Sequence, residues 1–329
     1  MRTADRATSN QEFHHMIVGF IGLGNVGSKL AGSLLDEGIE LVVCDLDPEA
    51  VARLTDRGAG AASTPEELAP RCDVVITCLP SPAICAAVVE AMLPHMREGT
   101  LWMEMSTTDA DEVQRLGAAA AEHGVTLLEC PVSGGCHRAA TGNISIFAGG
   151  PREAFDRGLP LLKILGRKIL HTGGWGSASV LKVVTNYLAA IHLAATGEAF
   201  AVAAKAGLDM ATTYHAIAIS SGNSFSHETE GQLICNGSYD INFTMDLVEK
   251  DTDLFLDVGR TNGVDLELGP VVRAAFADAK DRYGARALSP RVVQRWEDDL
   301  GVSFRAPGFP ADLIDTEPRV DGYEIIVDH

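Results

Sequence analysis

Two polar residues that could do chemistry, Lys182 and Asn186, lie four positions apart in the middle of the chain. In a helix, that spacing places both side chains on one face, about one turn apart. From Val183 to Gly197 the chain has no Asp, Glu, Lys or Arg, so Lys182 begins a mostly apolar segment. A buried lysine is costly unless it has a partner or a chemical role. The other interpretation, a lysine whose stem is buried while its ammonium reaches water, is open at this point.

A glycine-rich turn lies near the start of the chain, where residues 18–27 have the pattern of a strand that ends in G-x-G-x-x-G and leads into a helix. One glycine makes the tight turn, one lets the backbone approach a pyrophosphate, and one lets the helix lie close to the strand. The helix N-terminus adds N–H groups that favour phosphate. The alternative is a glycine-rich turn without a ligand. The residues predicted to bind a dinucleotide here are Gly22, Leu23, Gly24, Asn25 and Val26.

Asp45 closes the second predicted strand, 23 positions after Gly22. This is near the spacing of the carboxylate that binds the adenosine ribose hydroxyls in dinucleotide-binding domains. An adjacent arginine would favour the 2′-phosphate of NADP, but the neighbour is Leu46, so we predict NAD rather than NADP. In the other interpretation, Asp45 or Asp47 only caps the helix that begins at Pro48.

Ser133, Gly134 and Gly135 follow another predicted strand. A serine hydroxyl beside consecutive glycine N–H groups makes a compact anion pocket that suits a carboxylate. A tight turn that needs glycine for its backbone dihedrals explains the same residues equally well.

Short apolar runs alternate with amphipathic segments up to about residue 170, which predicts βαβ units and a parallel sheet. After Trp175 the pattern becomes helix after helix, with breaks at glycines. The first of these helices, Ser177 to Lys205, would be roughly 43 Å long and would join two domains. The predicted fold class is therefore α/β, with an all-α C-terminal domain. The predicted strands are Ile17–Ile21, Leu41–Cys44, Val74–Cys78, Leu101–Glu104, Val125–Leu128, Ile144–Phe147 and Lys168–Leu170.

The 329 residues carry a net charge of −19, which argues against nucleic acid or an anionic membrane as partner. The seven cysteines form no CxxC pair and indicate reduced thiols. No signal peptide or membrane-spanning run is recognised, so we expect a soluble, cytoplasmic protein. The adjacent His14 and His15 could bind metal or lie in a solvated tail, and no metal site is predicted.

The predicted segments are a disordered tail (1–15), a dinucleotide-binding domain (16–175), a helical domain (176–305) and an acidic tail (306–329).

Four segments in register, VGFIGLGNVG, ECPVSGG, GSASVLKVVTN and FTMDLVEKDTDL, resemble the β-hydroxyacid dehydrogenase family. This group is similar to 3-hydroxyisobutyrate dehydrogenase and tartronate semialdehyde reductase. The resemblance covers roughly residues 16–300 and implies an N-terminal Rossmann domain, a helical C-terminal domain, and a cleft for cofactor and substrate. It also implies a homodimer or homotetramer that buries apolar surface of the helical region.

The resemblance also assigns roles to particular residues. Lys182 matches the catalytic lysine, Asn186 a substrate-binding asparagine, and Ser133 to Gly135 the substrate carboxylate pocket. Asp251 would orient its neighbour Lys250 or cap a helix. The implied reaction is hydride transfer between NAD(P) and the hydroxyl-bearing carbon of a small 3-hydroxy acid, with Lys182 as general acid/base. The remaining cofactor contacts that the resemblance implies are Leu79, Pro80, Thr107 and Lys250.

Several positions depart from the family pattern and leave the substrate open. Arg138 could bind a second anionic group of a substrate or lie in a solvated loop. A 6-phosphogluconate dehydrogenase would have His-Asn where this chain has Thr185-Asn186, and imine reductases usually lack the lysine. The alternatives are a reductase of a tartronate semialdehyde-like aldehyde or of an imine, and a catalytically inactive dinucleotide-binding protein. The other departures are Val26, Glu129, Cys130 and Ala178.

Overall fold

The computed structural model describes residues 16–327, which divide into two compact units. The first contains residues 16–182 and 315–327, and the second contains Val183–Ile314. The tail predicted for residues 1–15, with His14 and His15, lies outside the described residues.

The first unit is built on a ten-stranded sheet. The strands are β1 (Ile17–Ile21), β2 (Glu40–Cys44), β3 (Gly60–Ala61), β4 (Val74–Thr77), β5 (Leu101–Glu104), β6 (Thr126–Glu129), β7 (Val132–Ser133), β8 (Ser145–Gly149), β9 (Lys168–Gly173) and β10 (Tyr323–Ile325). Their order in the sheet is β3-β2-β1-β4-β5-β6-β8-β9-β10, and β7 pairs with β8. From β3 to β6 all neighbours are parallel, whereas β8 runs antiparallel to β6 and β7, and β8, β9 and β10 are parallel to one another.

All seven predicted strands are present, two with the predicted bounds and five with ends that differ by one to three residues. Their near-continuous apolar runs are buried, as expected for parallel strands covered by helices. Buried side chains form two apolar clusters in this unit, one around Phe20 and Phe155 and the other around Trp102. The prediction of an α/β fold built on a parallel sheet is confirmed.

The helices of the first unit connect these strands, and polar residues cap several of them. Asp47, Thr64, Ser81 and Asp109 each accept a backbone N–H in the first turn, as N-cap residues do. The helices are α1 (Gly27–Asp36), α2 (Pro48–Thr55), α3 (Pro65–Leu68), α4 (Pro82–Met92), α5 (Ala110–Glu122), α6 (Gly135–Thr141) and α7 (Arg152–Leu165).

The second unit is helical. Its first helix, α8, has the predicted bounds Ser177–Lys205 and begins within the first unit. The buried side chains of this unit include Phe200, Phe276 and Phe304. Contrary to expectation, α8 is long and apolar enough to cross a membrane by length and composition alone, a test that the core helix of a soluble protein also passes. The other helices are α9 (Met210–Ala218), α10 (Phe225–Asn236), α11 (Met245–Thr261), α12 (Gly269–Tyr283) and α13 (Arg291–Leu300).

The C-terminal segment differs from the acidic tail predicted for residues 306–329. Its last described part belongs to the first unit, where Tyr323–Ile325 pairs with β9 as an edge strand. The run Tyr-Glu-Ile-Ile-Val has high β-propensity, and Glu317 before it is paired with Arg138 and Arg167 of the first unit. Local sequence alone did not indicate this pairing, because the partners lie about 150 or more residues earlier.

Candidate active site

The glycine-rich turn joins β1 to α1, and its three glycines have different surroundings. Gly22 has φ +95°, and a Cβ there would lie 2.3 Å from the Cys78 carbonyl oxygen. A Cβ on Gly27 would lie 2.0 Å from the Gly22 carbonyl oxygen, so both glycines are required by the fold itself. At Gly24 a Cβ would meet nothing within 4 Å, so this backbone faces open space. The turn thus fits a pyrophosphate, which needs close approach to exposed backbone at a helix N-terminus.

Asp45 lies at the carboxyl end of β2, beside this turn. Its Oδ2 accepts the Leu23 N–H at 2.5 Å, and its Oδ1 accepts the Asp47 N–H at 2.8 Å. The helix cap is made by Asp47, whose Oδ1 accepts the Glu49 N–H at 2.9 Å, so Asp45 has a different structural role. A cavity of about 290 Å³ opens here, lined by Asp45, Leu46, Pro48, Val51, Ser63 and Glu67 among others. These residues fit the adenosine end of a dinucleotide.

The loops that follow β4 and β5 carry Leu79, Pro80 and Thr107, and a buried carboxyl group connects them. The Leu79 N–H donates to Ser106 Oγ at 2.7 Å, and the Ser106 N–H donates to Glu104 Oε1 at 2.7 Å. Both loops therefore lie at the carboxyl edge of the parallel strands, where ligands bind in such sheets.

Glu104, at the end of β5, is the centre of this network. Its Oε2 accepts the Cys85 Sγ–H at 2.8 Å and the Thr77 hydroxyl, which itself accepts the Trp102 Nε1–H at 2.8 Å. Burial raises the pKa of the Glu104 carboxyl, and the hydrogen bonds partly offset this. Glu104 thus fixes the two loops that are predicted to contact the cofactor.

The Ser133-Gly134-Gly135 turn joins β7 to α6. Gly134 has φ +130° and Gly135 has φ +85°, conformations that other residues rarely adopt. Glycine is therefore required by the turn, as one of the two interpretations holds. Ser133 directly precedes the two glycines in this turn, so the anion-pocket interpretation is compatible with the backbone.

Lys182 is buried, with 8% of its surface exposed, three residues after Ser179 in α8. The start of α8 is held by Glu129, at the end of β6. Its carboxylate accepts the Ala178 N–H at 3.1 Å, the Ser179 N–H at 3.0 Å and the Ser179 hydroxyl at 2.6 Å. Burial raises the pKa of Glu129, and these donors partly offset it. A carboxylate thus satisfies backbone N–H groups that a helix start leaves without intrahelical partners.

In the second unit, Asp251 connects two further predicted site residues. Asn186 Nδ2 donates to Asp251 Oδ2 at 2.5 Å, and Lys250 Nζ lies 2.7 Å from Asp251 Oδ1. Asp251 is buried, with 3% exposed surface. The expectation that Asp251 orients Lys250 agrees with this ion pair.

Two family models together cover most of the chain. The NAD binding domain of 6-phosphogluconate dehydrogenase matches residues 17–173, and the NAD-binding domain of NADP-dependent 3-hydroxyisobutyrate dehydrogenase matches residues 176–295. The chain is 31% identical over 290 residues to 2-(hydroxymethyl)glutarate dehydrogenase of Eubacterium barkeri, which covers 87% of this chain and 96% of the relative. The chain belongs to the β-hydroxyacid dehydrogenase family.

Further comparisons agree with this assignment. L-Threonate dehydrogenase of Cupriavidus necator is 34% identical over 263 residues, which cover 79% of this chain and 89% of the relative. The structure of Mycobacterium tuberculosis 3-hydroxyisobutyrate dehydrogenase with L-serine matches with a TM-score of 0.78 and 27% identity, over 85% of this chain and 98% of that one. This member of the family is thus an NAD(P)-dependent hydroxyacid dehydrogenase.

Some contacts that support the site of this dehydrogenase were not expected from the sequence, namely those of Glu104 and Glu129 and the hydrogen bond from Asn186 to Asp251. Glu104 and Glu129 end buried strands, and Asp251 lies on the buried face of α11. The sequence did indicate that Glu104 and Glu129 need hydrogen-bond partners, because a carboxyl group in an apolar strand is costly without them. Their partners, however, lie up to 50 residues away and are set by the fold.

Proposed function

We propose that this dehydrogenase oxidises the hydroxyl-bearing carbon of a small 3-hydroxy acid similar to 3-hydroxyisobutyrate, with Lys182 as general acid/base. The observation that carries the proposal is the burial of Lys182 in a helix whose next fifteen residues lack charge. Its position, three residues after Ser179, places it close to the helix start that Glu129 anchors. A lysine so placed is suited to proton transfer.

The roles of the other residues follow from their chemistry. The Ser133 hydroxyl and the N–H groups of Gly134 and Gly135 would hold the substrate carboxylate. Asn186 would bind the substrate hydroxyl through its amide. In oxidation Lys182 takes the hydroxyl proton as the carbonyl forms, and in reduction it returns that proton to the oxygen. Holding the carboxylate and the hydroxyl together orients the reacting carbon, which is a large part of the rate gain.

The cofactor would be held by the glycine turn and the loops described above. When bound, NAD accepts the hydride in oxidation and NADH supplies it in reduction. The backbone from Gly22 to Val26 would bind the pyrophosphate, and Asp45 the ribose hydroxyls. Leu79, Pro80, Thr107 and Lys250 would supply the remaining contacts. We propose NAD over NADP because a carboxylate at Asp45 would repel a 2′-phosphate.

The names of the relatives support the substrate class. They act on 2-(hydroxymethyl)glutarate, L-threonate and 3-hydroxyisobutyrate, and one structure contains L-serine. Each of these molecules carries a carboxylate and a hydroxyl, which are the two groups that the proposed site recognises.

The test is turnover of NAD with a panel of 3-hydroxy acids by the wild type and by Lys182→Ala. The wild type should reduce NAD with at least one of them, and the variant should lose at least ~10²-fold in kcat while binding NAD normally. Lys205→Ala, at the other end of the same helix, is the matched control and should retain activity. A folded Lys182→Ala protein with near-normal kcat would refute the role of the lysine.

We also propose that the dehydrogenase is a homodimer or homotetramer that buries apolar surface of its helical region. Leu188 and Val202 of α8 are large apolar side chains that are 45% and 71% exposed, and a second copy of the chain would cover them. Light scattering at micromolar concentration should give a mass of at least twice 34.8 kDa. A mass equal to that of one chain would contradict the proposal.

A further inference from the structure

The C-terminal segment of the chain is hydrogen-bonded to the end of α6, the short helix that follows the Ser133-Gly134-Gly135 turn. Asp315 Oδ2 accepts the Thr141 hydroxyl at 2.5 Å and Asn143 Nδ2–H at 2.7 Å. The same Asn143 amide donates to the Glu317 carbonyl oxygen at 3.0 Å. Burial raises the pKa of Asp315, but these hydrogen bonds more than offset it, so the pKa lies below its ordinary value and the group is a carboxylate at neutral pH.

The carboxylate of Glu317 extends this contact toward the turn. It pairs with Arg138 of α6 at 3.3 Å and with Arg167, which precedes β9. The stem of Arg138 lies over the turn, since a Cβ built on Gly134 would be 3.3 Å from Arg138 Cδ. Arg138 is therefore paired with a carboxylate of its own chain. The Arg138 side chain connects Glu317 to the glycine turn.

The other end of the segment is anchored to the sheet. The Gly322 N–H donates to the Lys163 carbonyl at 3.1 Å, and the Tyr323 N–H to the Arg167 carbonyl at 2.9 Å. A Cβ on Gly322 would lie 2.1 Å from the Gly166 carbonyl oxygen. The segment therefore passes this carbonyl at a distance that only glycine allows. Glu324 pairs with Arg152 of α7 at 2.6 Å. Residues 315–325 thus connect the sheet edge to α6.

Helix α6 needs such support. It has seven residues, and a helix this short has little stability of its own in water, so tertiary contacts fix its position. Its first residue, Gly135, is part of the turn. Ser133, at the start of the turn, pairs with Ser145 of β8, which follows the helix in the chain. A shift of α6 would therefore move the N–H groups of Gly134 and Gly135.

We propose that Asp315 and Glu317 are positioning residues for the substrate carboxylate, because they hold α6 and with it the Ser133-Gly134-Gly135 turn. This inference rests on the proposed function of that turn. The segment lies beyond residue 295, where the second family model stops matching, so these contacts come from a part of the chain outside that matched domain.

The experiment compares the steady-state kinetics of the wild type with those of Asp315→Asn, Glu317→Gln and the double variant. Glu324→Gln is the matched control, because it removes a carboxylate from the same segment that pairs with an arginine away from the turn. In the double variant the KM for the hydroxy acid should rise roughly tenfold, as expected when a binding group is misplaced. The KM for NAD should change less than about twofold, because the glycine turn at Gly22 is untouched. Glu324→Gln should match the wild type in both.

The outcomes separate this inference from the function on which it rests. If the wild type turns over no hydroxy acid, the proposed function fails and the positioning role fails with it. If the wild type is active but the double variant keeps its substrate KM, or if Glu324→Gln raises it equally, only the positioning role is overturned. Should the double variant not fold, Glu317→Gln alone decides, because its carboxylate is 48% exposed and its loss is not expected to unfold the protein.

Discussion

Asn186 donates a hydrogen bond to Asp251, and the other oxygen of the same carboxylate pairs with Lys250. One buried group thus fixes an amide that we assign to substrate and an ammonium that we assign to cofactor. Asp251 needs no contact with either ligand for this, since it acts by orienting its two neighbours. Buried carboxylates with such partners are costly to disturb, because removal of one member of an ion pair leaves the charge of the other without compensation.

Asp251→Asn should therefore impair the enzyme without removing a catalytic group. The variant loses the charge that pairs with Lys250, and we expect kcat/KM to fall about 10- to 100-fold, with higher KM for both hydroxy acid and NAD. Asp253→Asn is the matched control, because it removes a half-exposed carboxylate from the same helix that pairs with Arg273 instead. Equal kinetics for the two variants would show that Asp251 has no positioning role.

Cofactor preference should follow Asp45 and Leu46. The wild type should have a higher kcat/KM with NAD than with NADP, because the Asp45 carboxylate repels a 2′-phosphate. Asp45→Ser combined with Leu46→Arg should shift the ratio toward NADP, since Leu46 is fully exposed at the mouth of the cavity and an arginine there can reach a phosphate. A wild-type enzyme that already prefers NADP would show that Asp45, at the end of β2, does not exclude the 2′-phosphate.

The sequence predicted α8 with its correct bounds, because an apolar, alanine-rich run between Gly176 and Gly207 favours a helix. It also predicted the glycine turn, since the spacing of its three glycines is tied to one backbone geometry. It did not predict β10, which is three residues long and follows a polar stretch without periodicity. A strand that short needs its pairing with β9 in addition to the β-propensity of its own residues.

The support of the site was less predictable than its chemistry. Lys182 and Asn186 are recognisable from residue type and spacing, but Ser179 lies 50 positions from Glu129 and Asn186 lies 65 positions from Asp251. Such pairs depend on how strands and helices pack. The residues that surround each carboxylate in the sequence do not indicate which distant residue it will contact. The sequence could, however, indicate that a carboxyl residue ending a buried strand needs a partner.

Glu129 should matter for both stability and catalysis, because it holds the start of the helix that carries Lys182. Glu129→Ala would leave three donors without their acceptor, and we expect a loss of about 2 to 3 kcal/mol in the free energy of unfolding. We also expect a lower kcat from a less well-ordered Lys182. Ser179→Ala removes only one donor and should cost about 1 kcal/mol. Urea unfolding and steady-state kinetics of the two variants give the comparison, and equal losses would contradict the capping role.

A last prediction concerns Glu230 of α10, which accepts the Ser289 hydroxyl at 3.4 Å. Burial raises the pKa of its carboxyl from 4.5 to about 8, and the single hydrogen bond offsets little of this. Because the folded state binds this proton more tightly than the unfolded chain does, the group stabilises the fold below about pH 4.5. That contribution declines as the pH rises toward 8 and is lost above it.

Glu230→Gln removes this titration. The free energy of unfolding of the wild type, relative to that of the variant, should therefore fall between about pH 5 and pH 8 and stay constant above pH 8. The full slope for one proton is about 1.4 kcal/mol per pH unit, and we expect less because the side chain keeps partial contact with water. Glu228→Gln, on the same helix, corrects for the loss of one negative charge. Urea unfolding of the three proteins at about pH 5, 6.5, 8 and 9.5 gives the measurement. A difference between wild type and Glu230→Gln that does not vary with pH would show that Glu230 ionises at its ordinary value.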